Sequence, residues 1–220
     1  MKILLVFFSR TGFTERLIYE VKEKLKSRGN TVYVERLQSI NEKSCLGEIC
    51  KDLHHYPLIM LSLFSKWWRR RYLSNYNQVE DDIGQLQYSD VSGFDRICIG
   101  GPKWAHIAYP VARYLRVVRG LEGKQVGSVY TFGGPPLPVF ELKMFEESMN
   151  RIINDRNASI IAHLGISSAY HELGIMPLFR AISRIRFCKS IDYYKLGSNY
   201  SYNLIQKFCD TVSSEKEDSL

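Results

Sequence analysis

The chain has 220 residues, 45% of them hydrophobic, and a formal net charge of +7, which fits one α/β domain with room for insertions. Cys45, Cys50, Cys98, Cys188 and Cys209 form no Cys-x-x-Cys pair and the histidines show no ligand spacing, which excludes a disulfide scaffold, a zinc ribbon or a built-in iron–sulfur cluster and fits a reducing compartment. Lys2 leads into a strand pattern rather than a cleavable apolar core, and no apolar run approaches the roughly 18 residues of a membrane span. The expectation is a cytoplasmic protein, soluble or peripheral on the inner face of the membrane.

Ile3 to Phe8 are apolar without a break, the pattern of a strand buried on both faces. Ser9, Arg10, Thr11, Gly12, Phe13 and Thr14 follow. Leu17, Val21 and Leu25 then recur among charged neighbours and predict a helix from Glu15 to Arg28, stopped by Gly29 and Asn30. Such a junction gathers free backbone N–H groups, the positive end of a helix dipole and three side-chain hydroxyls, and it suits a phosphate. The same residues also read as an ordinary strand-to-helix turn capped by Thr11 or Thr14. The loop has neither the Lys-Ser/Thr ending of a P-loop nor the spaced glycines of a dinucleotide fingerprint. Thr31 to Leu37 alternates apolar and polar and predicts a second strand, so a right-handed parallel crossover is expected.

Residues 41–92 exceed what a minimal second helix needs. Cys45 to Leu53 could begin that helix, and Tyr56 to Leu73 has an apolar front, paired tryptophans and a basic end in Lys66, Arg69, Arg70 and Arg71. This stretch reads either as a long helix packed on the sheet with its arginines solvated, or as an amphipathic element at a membrane surface. Asn75 to Ser92 is polar and acidic and reads as a surface loop. Phe94 to Gly100 predicts the third strand. Gly101, Pro102, Lys103, Trp104 and Ala105 make the next loop, and a helix runs from His106 towards Arg119. Trp104 is suited either to stacking on a flat ligand or to anchoring its loop in the core.

Gln125 to Phe132 predicts the fourth strand, closed by Gly133 and Gly134, where the main chain can approach a flat ligand or simply turn. Val139 to Asn154 reads as an amphipathic helix, Ala158 to Leu164 as the fifth strand and Tyr200 to Val212 as the last helix. Between the last two lies a second insertion, 172–198, in which Ile175, Leu178, Phe179, Ile182 and Ile185 share one helical face. That helix either covers the sheet edge or binds a membrane or partner. Leu53 to Val79 and Leu173 to Ile191 carry four basic residues each and no acidic one, so the basic excess is local to these two segments.

Three loops, each at the carboxyl end of a predicted parallel strand, together resemble those of the flavodoxin-like FMN-binding family. Ser-x-Thr-Gly-x-Thr (Ser9 to Thr14) resembles its phosphate loop, Gly-x-Pro and an aromatic after the third strand (Gly100 to Pro102, then Trp104) its ring-flanking loop, and Thr131-Phe132-Gly133-Gly134 the loop along the ring edge. The resemblance implies an α/β, three-layer αβα sandwich with a five-stranded parallel sheet in the order 2-1-3-4-5, one domain over 1–213, two basic aromatic insertions at about 41–92 and 172–198, and a polar tail from 214 to 220. It implies one noncovalent FMN. Ser9, Thr11, Gly12 and Thr14 would hold its phosphate with the Arg10 and Phe13 backbones, Pro102, Lys103, Trp104 and Ala105 would flank the ring, and Thr131, Phe132, Gly133 and Gly134 would meet its polar edge. Position 101 is Gly where the family often has Ser or Thr, and Phe13 replaces a residue often polar there.

With no acid–base pair, nucleophile constellation or metal cluster in the sequence, activity must rest on the flavin. The expected function is an FMN-dependent oxidoreductase that passes electrons from NAD(P)H or a redox protein to a quinone or similar acceptor. The stretches 56–73 and 175–189 would be available to an anionic membrane surface. The alternative is a flavodoxin-type electron carrier, which is typically acidic where this chain is basic. The remote alternative is a nucleic-acid-binding module without flavin.

Overall fold

The computed structural model describes residues 1–40, 47, 56–75, 78–104 and 106–214. Strands β1 (Lys2–Phe7), β2 (Thr31–Arg36), β3 (Arg96–Pro102), β4 (Gln125–Phe132) and β5 (Ser159–Ser167) form one parallel sheet in the order β2-β1-β3-β4-β5. Helices α1 (Phe13–Ser27), α2 (Tyr56–Phe64), α3 (Lys66–Asn75), α4 (Tyr109–Val117), α5 (Met144–Asp155), α6 (Met176–Phe187) and α7 (Asn199–Ser213) accompany it. This is the flavodoxin-like architecture, with the chain reversing its direction of winding between β1 and β3.

The unbroken apolar run of β1 explains the layering. Successive side chains of a strand point to opposite faces. Ile3, Leu5 and Phe7 pack with Leu17 and Val21 of α1 and Phe208 of α7. Leu4, Val6 and Phe8 pack with Val111 and Leu115 of α4 and Phe145 of α5. This interior strand therefore has no solvated face. All five strands end on the same side, and the loops that leave their carboxyl ends are β1–α1, 103–108 after β3, 133–137 after β4 and 168–175 after β5.

Three elements differ from the sequence expectation. The stretch from Tyr56 is two helices rather than one. They are separated by Ser65, whose Oγ accepts the backbone N–H of Trp68 at 3.2 Å and so caps α3. Cys45 to Leu53, the expected start of a second helix, lies outside the described residues apart from Gly47. The helix expected from Val139 opens with a π-helical turn over Pro138–Lys143, which buries Glu141 before α5 begins. Of the two readings of α6, as cover for the sheet edge or as a membrane- or partner-binding helix, the first holds only in part: Phe179 and Ser183 are buried, whereas Ile185 is 83% exposed.

A buried polar chain ties the first insertion to the core. The Oγ of Ser148 in α5 donates to the carbonyl of Met144 at 2.8 Å and lies 2.9 Å from Nδ1 of His106. The single hydroxyl proton is thereby used, so Nδ1–H of His106 donates to Ser148 and Nε2 accepts the hydroxyl proton of Tyr72 in α3, at 2.7 Å. No helix among the described residues is long and apolar enough to cross a membrane.

Candidate functional site

The β1–α1 turn is built by Gly12, whose φ of 82° lies in the left-handed region that a side chain would strain. The expected caps do not form. No side chain caps α1 at Gly12, and it is Ser9 whose Oγ accepts the Glu15 N–H, at 3.2 Å. Thr14 turns inward, its hydroxyl 2.8 Å from that of Thr131, which joins the first and third loops at their roots. Ser9 and Thr14 are buried while Thr11 is exposed. The first-turn N–H groups of a helix have no intrahelical partner, so the turn retains the donors and dipole that suit an anion.

The loop after β3 carries Lys103 and Trp104. Lys103 donates its backbone N–H to the Thr131 carbonyl at 2.7 Å and its Nζ to the Trp104 carbonyl at 3.1 Å. Its ammonium lies 3.5 Å from Glu141, with the two side chains only 2% and 3% exposed, and 4.1 Å above the ring of Phe140. Burial pushes the Lys103 ammonium down and the Glu141 carboxyl up, and each is partly held in its charged form by the other. Glu141 also accepts the N–H of Gly134 at 3.3 Å, so the ion pair braces the turn that follows β4. Trp104 stands edge-on between Phe8, at 5.8 Å, and Tyr109, at 4.7 Å, so it is anchored to the core as well as exposed to the cleft.

Gly133 and Gly134 are held from behind. A Cβ at Gly134 would lie 2.9 Å from the Phe179 ring, and one at Gly133 would lie 3.0 Å from the His171 ring. Only glycine admits α6 and the last loop this close. The end of β5 locks the same turn: the Ser167 hydroxyl donates to the Gly134 carbonyl at 2.6 Å, and the Ser168 N–H donates to the Phe132 carbonyl at 2.7 Å. The chain then swings through Ala169, at a φ of 49°, to place Tyr170 in a stack on Phe13, with ring centroids 5.5 Å apart. Arg16 lies over the Phe13 ring at 4.6 Å from its centroid. Arg10 reaches Glu172 at 3.4 Å across the same opening.

These loops enclose one cleft of about 280 Å³ at the carboxyl edge of the sheet. Of the residues expected at a site, Arg10, Thr11 and Phe13 line it from the first loop, Pro102, Lys103 and Trp104 from the second, and Thr131, Phe132 and Gly133 from the third. Ser9, Gly12, Thr14 and Gly134 stand behind that lining, and Ala105 lies outside the described residues. Sequence reasoning missed the remaining walls: Tyr109, Phe140, Tyr170 and His171, and the aliphatic rim of Ile59, Leu173 and Ile175. The signal available for Tyr170 to Ile175 was their position directly after the fifth strand, on the same edge as the other loops. Nothing local marks Ile59 or Phe140, which arrive by tertiary packing.

Aromatic and aliphatic walls beside a helix N-terminus and a backbone turn suit a flat, partly apolar group that carries an anion. Among the described residues no group of three or more His, Cys, Asp or Glu side chains is placed to hold a metal ion.

Neither a protein-family model nor a curated protein sequence matches this chain. Solved structures do. Oxidised flavodoxin 1 from Bacillus cereus aligns over 98% of this chain and 99% of that one at 10% identity, with a TM-score of 0.52. Oxidised flavodoxin 2 from the same organism aligns over 96% and 97% at 12% identity, also with a TM-score of 0.52. At such identity the likeness is one of fold.

Proposed function

We propose that this chain binds one FMN noncovalently in the cleft at the sheet's carboxyl edge and acts as an FMN-dependent oxidoreductase, passing electrons from a reduced donor to a quinone or similar acceptor. The observation that supports this reading is the convergence of three loops, far apart in sequence, on one cleft whose walls differ in chemistry. Residues 9–14 offer a helix N-terminus and Arg10; Trp104 and Tyr109 offer apolar faces; Gly133 offers its backbone at the turn after β4, packed against His171 and Tyr170. An FMN phosphate fits the first, its ring the second and the ring's polar edge the third.

Bound FMN would supply the electron-transfer chemistry. The residues of this chain bind, orient and shield. The helix terminus and the exposed Thr11 hydroxyl receive the phosphate, and the Phe13–Tyr170 stack closes the flank between the first and last loops. Because Lys103 and Glu141 neutralise one another behind Phe140, that wall presents no net charge to the ring while both remain charged. The aliphatic rim of Ile59, Leu173 and Ile175 supports a hydrophobic acceptor rather than a strongly charged one.

The test is an absorbance spectrum of the purified chain with and without added FMN, followed by NADH or NADPH and a soluble quinone. Flavin bands that bleach with a nicotinamide and return on adding the quinone are expected. Bound FMN that ignores both nicotinamides points to a carrier, or to a redox protein as donor. Failure to bind FMN overturns the proposal. Trp104→Ala, which removes a ring face from the cleft, should weaken FMN binding about tenfold or more by fluorescence titration, at the scale of a lost aromatic contact.

A further inference from the structure

We propose that the two basic insertions together form a docking surface for an anionic lipid bilayer, set around the mouth of the cleft so that a lipid-borne acceptor reaches it from the membrane; this second half rests on the flavin reading above. The insertions are far apart in the chain, yet each lines the same cleft: Ile59 of α2, itself buried, from the first, and the exposed Leu173 and Ile175 from the second. Beyond the rim their apolar side chains face water. Phe64 is 84% exposed and Trp67 66%, with Met60 and Leu61 beside them, and in the second insertion Leu178 and Ile185 are 58% and 83% exposed. Single exposed apolar residues are ordinary on a soluble surface. Here they gather on short helices, beside cations.

Cations outnumber acids on both segments, with Glu172 at the cleft and Asp192 near Arg180 the acids that flank the second. Lys66, Arg70 and Arg71 are exposed on α3, with Arg71 lying 5.9 Å over the Trp67 ring. Arg180, Arg184, Arg186 and Lys189 are exposed on and just after α6. Neither Leu53 to Val79 nor Leu173 to Ile191 contains an acidic residue. Arg69 does not belong to the surface, because it is buried. Nucleic acid would satisfy the cations and could stack on Trp67, but it offers no apolar phase to Ile185, Leu178 or Met60. An anionic bilayer supplies both: negative headgroups for the cations and an acyl boundary for the apolar side chains, with Trp67 suited to headgroup depth. No described helix is able to span, so the protein would lie on the surface.

The experiment is flotation of the purified full chain with vesicles of phosphatidylcholine alone or with 30% phosphatidylglycerol, with the flavin content of each fraction read by absorbance. Flotation is expected with the anionic vesicles, falling about tenfold or more in Arg70→Glu/Arg71→Glu and in Phe64→Asp/Trp67→Glu, and weakening at about 0.5 M salt. Lys26→Glu/Lys207→Glu makes the same charge change on α1 and α7 and should float like the wild type; equal loss there would reduce the effect to net charge and overturn the surface. Thermal melts establish that each variant folds. No flotation by yellow protein, flotation indifferent to both rim variants, or tight binding of a mixed-sequence single-stranded oligonucleotide without flotation would also overturn the docking surface. Flotation by protein that binds no FMN would support the docking surface and remove the flavin reading instead.

Discussion

Lys103 and Glu141 occupy the wall of the cleft almost without solvent, 3.5 Å apart. Each charge is tolerable only because the other is present, so removing one leaves the other buried and uncompensated. Lys103→Met should therefore cost about 3–5 kcal/mol in urea unfolding. The double variant Lys103→Met/Glu141→Gln, which keeps an acceptor for the Gly134 N–H, should recover most of that loss. Recovery would identify the pair as mutually compensating; equal instability of single and double variants would mean that Lys103 matters through its packing on Phe140 instead. The tryptophan next to it shows why residue chemistry alone leaves a choice. Trp104 suited either a ligand face or a core anchor, and it packs between Phe8 and Tyr109 while also lining the cleft.

Elements are held to the sheet by contacts that no local pattern announces. Helix α3 reaches α5 through the chain Tyr72–His106–Ser148, all three of them buried. Tyr72→Phe leaves Nε2 of His106 without its donor and should cost about 1–3 kcal/mol, with the amides of α3 losing hydrogen-exchange protection before those of the central strands. If α3 and the strands lose protection together, the chain is not a local tether. Helix α6 offers the opposite case. Its position is set by Phe179 against Gly133 and Gly134, while Ile185 on the same apolar stripe points to water. Ile185→Glu should accordingly change unfolding stability by no more than about 0.5 kcal/mol, whereas a large loss would mean that this face packs on something in the folded protein.

Across the whole molecule, half-buried histidines are one contribution to the pH dependence of stability. Burial holds both His163 and His171 below the ordinary 6.5, and Lys103 adds to the effect at His171; Glu146 and Glu172 oppose it at the two sites respectively. The unfolded chain therefore takes up protons at these positions before the folded one does. Stability is fully present above the unfolded value and falls as pH drops through 6.5 towards the depressed folded values. The urea midpoint should decline between about pH 7.5 and 5.5, and His163→Gln/His171→Gln should flatten that decline. An unchanged slope would assign the acid sensitivity to other groups. The net charge of +7 also belongs to this scale, because its placement rather than its size decides what the molecule meets.

What the sequence determined by itself was the frame. An unbroken apolar β1, alternation in β2 and helix stops such as Gly29 are encoded in adjacent residues, so local periodicity lays out strands and helices along the chain, while the strand order 2-1-3-4-5 followed from the resemblance of the loops. The loops from Ser9, Gly101 and Thr131 were legible for the same reason, since each follows a strand end directly, where an open α/β sheet gathers its ligands. Only the tertiary structure decided which of those residues face the cleft. Ser9 and Thr14 spend their hydroxyls on the Glu15 amide and on Thr131, while Thr11 stays exposed, a division set by the path through Gly12 and not by residue type. Only the folded chain, too, brings Ile59, Phe140 and Tyr170 to one cavity and turns the α6 stripe outward. Such contacts depend on where distant segments come to rest, and a helical or strand repeat records which face is apolar without recording what that face will meet.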